Sequence, residues 1–281
     1  MGGWVFAPWR GTFYPAGLPQ KDELTFASRA ITAIEINSTF RQNQTPASFR
    51  KWAADTPEDF VFAIKGPQYI SHIKRLKDVE GALGNFFASG VLSLGRRLGP
   101  ISWQLPPNFK YDPDRLAAFF ALLPRTAEAA VATARGHDEK LKTEPWLDAA
   151  GIGDIRHAIE VRHDSFAVPE FIDLLRAHDI ALTIADTEGW PYADVTGGFV
   201  YGRLQGAPGR DRYEEVDIDR WAARAAAWAE GRAVTDVPTI APPLGDGRPR
   251  DVFLQFIATD KVNAPANAQG LMRRLGLVPP G

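Results

Sequence analysis

Eight short apolar segments divide the chain, and their pattern is typical of buried parallel strands. Most are nearly continuous hydrophobic runs, whereas a half-exposed antiparallel strand alternates apolar and polar residues. The segments are "WVFA" (4–7), "AIEIN" (33–37), "FVFAIK" (60–65), "ISWQL" (101–105), "HAIEVR" (157–162), "IALTIAD" (180–186), "FVYGRL" (199–204) and "VFLQFI" (252–257). We therefore predict eight strands that are covered on both faces.

Helical patterns with start and stop signals lie between these segments. "TPASFRKWA" has Thr45 as a cap before a proline at the first helical position, and "DPDRLAAFFALL" repeats this arrangement with Asp112. Residues 78–98 carry a further pattern that begins at Asp78 and ends before Gly99. These three segments are predicted to be helices.

Strand and helix alternate about eight times, which predicts an α/β fold: a single (β/α)8 TIM-like barrel. A doubly wound open sheet is the competing architecture. A helical insertion is predicted near 125–155, between the fourth helix and the fifth strand, and it contains the polar stretch "GHDEKLKTEPW". We expect one domain over residues 1–281.

Composition narrows the functional classes. The chain has 281 residues, of which 45% are hydrophobic, a net charge of −2 and no cysteine. Disulfides, thiolate metal sites and a cysteine nucleophile are thereby excluded. The charge argues against tight nucleic-acid binding, although it leaves room for a local basic patch. We find no signal-peptide pattern and no apolar run near the ~20 residues of a membrane span, so a cytoplasmic protein without membrane contact is expected.

Polar side chains at the carboxyl ends of the predicted strands form the candidate site, because barrel enzymes carry their chemistry there. Glu35 and Glu160 each lie inside an apolar run, and Arg162 shares a strand face with Glu160. A carboxylate in such a position must face the barrel mouth or be paired, because burying it alone is very costly. A structural ion pair is the alternative interpretation of Glu160 and Arg162.

Several neighbouring features have a structural and a functional interpretation. His163 and Asp164 follow the fifth strand, where a loop or helix cap is favoured over catalysis. The aromatic first loop, with Trp9, is either packing or a substrate platform. The basic stretch 74–77, which follows His72, is either a solvated loop or an anion-binding lid.

The chain resembles the YecE-like family of TIM-barrel proteins, also known as domain of unknown function 72. The similar segments are "GWVFAPWRGTFYP" (3–15), "IEINSTF" (34–40), "FVFAIKGPQYISH" (60–72), "LGPISWQLPPNF" (98–109), "AIEVRHDSF" (158–166), "LTIAD" (182–186), "YGRLQG" (201–206) and "NAPANA" (263–268). The resemblance runs nearly end to end and implies a barrel. It implies no established reaction.

Four departures from the family pattern fall near the candidate site. The chain begins at residues 1–4, "MGGW", where the family has a full strand "IRIGTSGW", so the first strand is expected to be shortened or to begin upstream. Arg41 and Gln42 replace a Tyr-Arg pair, Gln205 replaces a histidine, and residues 257–259 replace a polar cluster. We expect a diverged substrate or a weakened activity.

The first functional hypothesis is an enzyme that acts on a small polar or anionic substrate, phosphorylated or carboxylated, with hydrolysis favoured over isomerisation. Arginine and lysine would orient the anion, and one of two glutamates would have a raised pKa as general acid. The predicted catalytic residues are Glu35, Glu160 and Asp186, and the predicted substrate-binding residues are Asn37, Lys65, His72, Gln104, Arg162, Arg203 and Trp9. No cofactor is predicted under this hypothesis.

Two alternatives stay open. A divalent-metal site, as in phosphodiester nucleases built on xylose-isomerase-like barrels, would use the three carboxylates with His72 or His163. A non-catalytic module would bind a ligand or nucleic acid through the basic stretch 74–77 and the aromatic first loop. The sequence does not predict an oligomeric state.

Overall fold

A computed structural model describes residues 1–206, 212–257 and 261–278 of the chain. Seven parallel strands lie side by side in the order of the sequence and form a nearly closed barrel. The strands are β1 (Ala33–Ile36), β2 (Val61–Lys65), β3 (Leu98–Gln104), β4 (His157–Glu160), β5 (Ala181–Ala185), β6 (Phe199–Leu204) and β7 (Asp251–Phe256). The predicted TIM-like barrel is confirmed, with seven regular strands in the part of the chain that is described.

Helices flank the barrel and alternate with the strands. They are α1 (Glu23–Ser28), α2 (Ser38–Arg41), α3 (Pro46–Ala54), α4 (Glu80–Ala88), α5 (Pro113–Leu122), α6 (Ala127–Arg135), α7 (Pro169–Ala177), α8 (Glu215–Ala229) and α9 (Ala264–Arg274). Within the described ranges no single helix is long and apolar enough to cross a membrane, although α5 and α6, bent by 99° at their junction, together meet that criterion.

The strand predicted at residues 4–7 does not form, and the three residues before it take part of its place. The Gly2 amide donates to the Phe256 carbonyl oxygen at 3.1 Å, on the β7 side. On the β1 side the Gly3 amide donates to the Glu35 carbonyl oxygen at 2.9 Å. Gly3 has φ of +74°, which bends the chain away from the ring, so residues 1–3 contribute a single bridge to Glu35 and no regular strand.

The two predicted proline-led helices are confirmed together with their caps. In α3 the Thr45 hydroxyl accepts from the Ser48 amide at 3.2 Å, and in α5 the Asp112 carboxylate accepts from the Arg115 amide at 3.1 Å. Each side chain satisfies one of the amides that a helix leaves unbonded in its first turn.

The helix predicted over residues 78–98 is wrong in its extent. Helix α4 ends at Ala88, and a 3-10 helix over Val91–Arg97 follows. Gly90 separates them with φ of +111°, a conformation outside the helical region. A Cβ atom at this position would lie 2.4 Å from Pro46 Cα, so the close approach of α3 requires glycine there.

The predicted insertion at 125–155 is helical only over α6. Residues 136–156 are irregular, because this polar stretch has no apolar face of helical period. Two reciprocal hydrogen bonds fix its start: Asn85 Nδ2 donates to Asp138 Oδ1 at 2.7 Å, and the Asp138 amide donates to Asn85 Oδ1 at 3.0 Å.

His157, the first residue of β4, is a fully buried structural histidine. Trp103 Nε1 donates to His157 Nδ1 at 3.1 Å, and His157 Nε2 donates to the Pro124 carbonyl oxygen at 2.8 Å. This arrangement requires the neutral tautomer. Burial, with a contribution from the charge of Arg125, lowers the pKa of His157 to about 3.

His157 is therefore expected to make the fold sensitive to acid. Its pKa in the folded chain lies below the ordinary value of 6.5, so the unfolded chain binds a proton that the folded chain does not. Stability should fall as the pH decreases from about 6.5 toward 3, by at most ~1.4 kcal/mol per pH unit. Urea unfolding of the wild type and of His157→Gln across this range measures the effect; an unchanged slope in the variant would contradict it.

Candidate functional site

Arg203 lies at the centre of the barrel mouth and joins two glutamates from distant strands. Its Nε and Nη2 atoms donate to the two carboxylate oxygens of Glu35, at 2.8 Å and 3.1 Å. Its Nη1 atom donates to Glu160 Oε2 at 2.5 Å. The three side chains are at most 5% exposed. The strand ends thus bring Glu35, Glu160 and Arg203 together, as the sequence predicted.

The remaining carboxylate oxygen positions are also occupied. Glu160 Oε1 accepts from Gln104 Nε2 at 2.8 Å and from Arg162 Nε and Nη2 at 3.0 Å and 2.7 Å. Tyr201 donates its hydroxyl proton to Glu35 Oε2 at 2.6 Å. Both glutamates are therefore the buried inner layer of the site, and each of their carboxylate oxygens accepts at least one hydrogen bond.

The pKa values of these glutamates correct the expectation that one of them is raised. Burial by itself raises the pKa of a carboxyl group, but the positive charge of Arg203 outweighs it, together with hydrogen bonds from Arg203 at Glu35 and the charge and hydrogen bond of Arg162 at Glu160. The pKa of Glu35 is lowered, and that of Glu160 is lowered to about 2. The cause is that an arginine lies between the carboxylates. Both groups are ionised at neutral pH, so neither can act as the general acid.

A cavity of about 280 Å³ opens above this layer. Its lining residues are Gly2, Asn37, Lys65, Gln104, Arg162, Arg203, Gln205, Ile257 and Lys261. Predicted site residues supply five of these positions, which the ends of β1, β2, β3, β4 and β6 bring together. The lining carries four cationic side chains, and the two carboxylates lie behind it.

Lys65 ends β2, and its side chain is buried without a carboxylate partner. The residue is 8% exposed, and Nζ makes no hydrogen bond or ion pair with any described residue. Nζ lies 4.1 Å above the centre of the Phe40 ring. Burial, then repulsion by Arg203, lowers the pKa of Lys65 to about 8. The Thr39 hydroxyl donates to the Lys65 carbonyl oxygen at 2.7 Å and fixes the backbone at this strand end.

His72, a predicted substrate-binding residue, contacts Phe40 but does not line the cavity. The centres of the two rings are 5.1 Å apart in an edge-to-face contact, and His72 Nδ1 lies 2.9 Å from the Ser71 hydroxyl. Burial and the charge of Lys65 lower the pKa of His72, so the imidazole is a neutral neighbour of the cationic lining.

Asp186, the third predicted catalytic carboxylate, lies outside this cavity. Its side chain accepts from the Gln205 amide at 2.6 Å and from the Tyr213 hydroxyl, and it lines a separate cavity of about 210 Å³ against α8. Burial raises its pKa. The expectation that Asp186 joins Glu35 and Glu160 is corrected, because these partners hold it toward α8.

The metal-site alternative required the carboxylates of Glu35, Glu160 and Asp186 to lie together. Among the described residues, no group of three or more histidine, aspartate or glutamate side chains is placed to hold a metal ion. Glu35 and Glu160 instead use their oxygens on arginine and tyrosine donors.

The prediction that Trp9 binds substrate is wrong, because Trp9 is a packing residue. Its side chain is fully buried against Phe6, Phe13 and Tyr14. Trp9 Nε1 donates to the carbonyl oxygen of Lys261 at 2.8 Å, and so positions a residue that lines the cavity. Lys261 was missed by the sequence analysis because it follows the segment in which the chain departs from the family pattern.

The two polar segments beside the site behave as structural loops. The guanidinium of Arg75 donates to the Asn108 side chain and backbone oxygens, at 3.1 Å and 3.2 Å, which ties the basic stretch down and disfavours an anion-binding lid. His163 Nδ1 accepts from the Ser165 amide at 3.1 Å and caps the 3-10 helix that begins at Asp164. The predicted helix cap is confirmed.

Two of the departures from the family pattern lie on the cavity wall. Gln205 and Ile257 line it, while residues 258 and 259 lie outside the described part of the chain. Arg41 is exposed at the end of α2 and lines a neighbouring cavity of about 310 Å³, together with Gln42.

Comparison with known proteins gives a family and a fold. A model of the family described as "Protein of unknown function DUF72" matches residues 1–280. The crystal structure of a DUF72 family protein from Thermotoga maritima is 21% identical, with a TM-score of 0.71 over 98% of this chain and 97% of that one. A DUF72 family protein from Enterococcus faecalis is 15% identical, with a TM-score of 0.67 over 99% of this chain and 94% of that one. No curated protein gave a significant match.

Proposed function

Because the chain belongs to the DUF72 family, whose description names no activity, we propose its function from the site itself. We propose that the cavity at the barrel mouth binds a small phosphorylated or carboxylated molecule and that the protein is an enzyme acting on it. Barrels of this architecture carry their active sites at this face, which supports an enzyme by analogy of fold.

One observation carries this proposal: the charge of the cavity is unbalanced. Lys65, Arg162, Arg203 and Lys261 line it, against two carboxylates, Glu35 and Glu160, in the layer behind. When both lysines are protonated, four cations against two carboxylates leave a net charge of +2. A cavity with such a lining attracts anions and concentrates them.

The individual cations have different roles. Arg203 is held on three sides by carboxylate oxygens, so its charge is fixed in place and needs no reorganisation when a ligand binds. Arg162 uses Nε and Nη2 on Glu160, and its Nη1 makes no hydrogen bond with a described residue. Arg162 Nη1 and Lys261 Nζ are therefore the donors that we assign to the anion, since charge-assisted hydrogen bonds are short and strong.

The pKa directions bear on the reaction class. Hydrolysis with a glutamate as general acid is not supported, because both glutamates are ionised by their arginine neighbours. A cytoplasmic location, and nucleic acid as a possible but disfavoured partner, stay predictions from the sequence.

The proposal predicts that Arg162→Met weakens anion binding. Loss of one charge-assisted interaction of ~1.5 kcal/mol corresponds to about a tenfold rise in Kd. Calorimetric titration with inorganic phosphate and with glyceraldehyde 3-phosphate measures this.

Arg156→Met is the matched control. Arg156 precedes the same strand at its opposite end and pairs with Asp251 at 2.6 Å, so its loss should leave Kd unchanged. If the wild type binds neither anion, or if both variants bind equally well, the anion site is refuted.

A further inference from the structure

We infer that Lys65 is a nucleophilic amine that forms an imine with the carbonyl group of the anionic substrate. The inference rests on the proposed function for the anchoring of that substrate, and goes beyond it by assigning the covalent chemistry.

The first support is that Lys65 has no carboxylate partner inside a carboxylate-containing site. Glu35 directs its oxygens to Arg203 and Tyr201, and Glu160 directs its oxygens to Gln104 and the two arginines. A lysine amine that is held in an ion pair keeps its proton and cannot attack. Here the arginines take up the carboxylate oxygens, and Nζ is left unpaired among the described residues.

The second support is the position of Nζ. The residue is 8% exposed, its amine lies 4.1 Å above the Phe40 ring, and it faces the cavity of about 280 Å³. Burial lowers the pKa of Lys65 to about 8, so roughly one amine in ten is neutral at pH 7 and half are neutral at pH 8. An exposed lysine, with an ordinary pKa near 10.4, would have far less neutral amine.

The third support is the distribution of groups around the amine. Arg162 and Lys261 line the same cavity and present cationic donors to an anionic group of the substrate. A molecule that places its phosphate or carboxylate there extends its other end toward the remaining wall, where Lys65 lies. The substrate class is therefore a short aldehyde, ketone or keto acid that carries a phosphate or carboxylate.

The step balances without another reactant. The neutral amine attacks the carbonyl carbon, a C–N bond forms, and the carbonyl electron pair moves to oxygen. The amine loses a proton to solvent in the open cavity and the oxygen is protonated, which gives a carbinolamine. Loss of water then leaves the imine, so that amine and carbonyl compound are converted to imine and water.

Borohydride trapping tests the inference on the wild-type protein. The full chain is incubated at pH 8 with glyceraldehyde 3-phosphate or with unphosphorylated glyceraldehyde, reduced with borohydride, and mapped by peptide mass spectrometry. We expect Lys65 to be labelled at least tenfold faster than Lys51, which is 62% exposed and paired with Asp55. We also expect the phosphorylated aldehyde to label Lys65 about tenfold faster than the unphosphorylated one.

Two variants and a binding measurement separate the possible failures. Arg162→Met should slow labelling of Lys65 by the phosphorylated aldehyde several-fold more than labelling by glyceraldehyde, so that the preference for the phosphorylated aldehyde shrinks. Lys65→Arg should abolish labelling at this position, with circular dichroism as the check on folding. If calorimetry shows phosphate binding to the wild type but Lys65 reacts no faster than Lys51, the imine inference is overturned and the anion site stands. If phosphate does not bind either, both are overturned.

Discussion

Arg203→Met is expected to destabilise the fold by about 3–5 kcal/mol, the largest effect of any single change in the site. The substitution removes the cation between Glu35 and Glu160, which are 0% and 2% exposed. Two buried carboxylates would then face each other without their shared partner, and each would be desolvated. Chemical denaturation at pH 7, monitored by tryptophan fluorescence, gives the free energy of unfolding.

The cause can be isolated with further variants. Arg96→Met removes an exposed ion pair with Glu58 and should change stability by less than ~0.5 kcal/mol. Adding Glu35→Gln and Glu160→Gln to Arg203→Met should recover part of the loss, because amides carry no charge to desolvate. A loss below ~1 kcal/mol in Arg203→Met would show that the ion-pair layer does not contribute as its geometry indicates.

Lys65→Met is expected to act in the opposite direction and stabilise the protein at pH 7. The folded chain holds Lys65 with a pKa of about 8 against an ordinary value of 10.5, so protonating it in the fold is unfavourable. Each unit by which folding lowers the pKa corresponds to ~1.4 kcal/mol of stability. The protonated Lys65 side chain therefore lowers the free energy of unfolding by up to about 3 kcal/mol. Methionine keeps most of the apolar stem without the charge. Such a cost is expected of a residue that serves function and not stability.

The pH dependence identifies this cause. Above pH 8 the folded chain releases the proton while the unfolded chain keeps it up to about 10.5, so the cost disappears over that range. The advantage of Lys65→Met should shrink by about half between pH 7 and pH 9.5. Lys51→Met, at an exposed site, should show neither the gain nor its pH dependence. A destabilised Lys65→Met protein at pH 7 would contradict the expected cost of burying this amine.

The barrel could be predicted from the sequence because its determinants are local. Continuous apolar runs and proline-led caps recur along the chain, and each is visible within about ten residues. Two of the failures occurred where the φ angle of a single glycine decided the backbone path. Gly90 ends α4 early through its positive φ, and Gly3 turns the chain away from the expected first strand.

The candidate site was predictable in most of its members but not in their pairing. Strand ends place Glu35, Glu160 and Arg203 at one face whatever their rotamers, so their convergence followed from the fold. Which carboxylate meets which cation depends on side-chain directions across strands that are far apart in sequence. That pairing lowers the pKa of both glutamates and leaves Lys65 without a carboxylate partner. The assignment of acid, base and nucleophile therefore required the three-dimensional structure.

The closure of the ring has a consequence for ligand binding. Between β7 and β1 the wall is completed by Gly2 and its neighbours, and Gly2 also lines the cavity. A molecule in that cavity contacts Gly2, whose amide donates to β7 and whose two neighbours hydrogen-bond to β1. A bound ligand is therefore expected to stabilise the closure of the ring between β7 and β1.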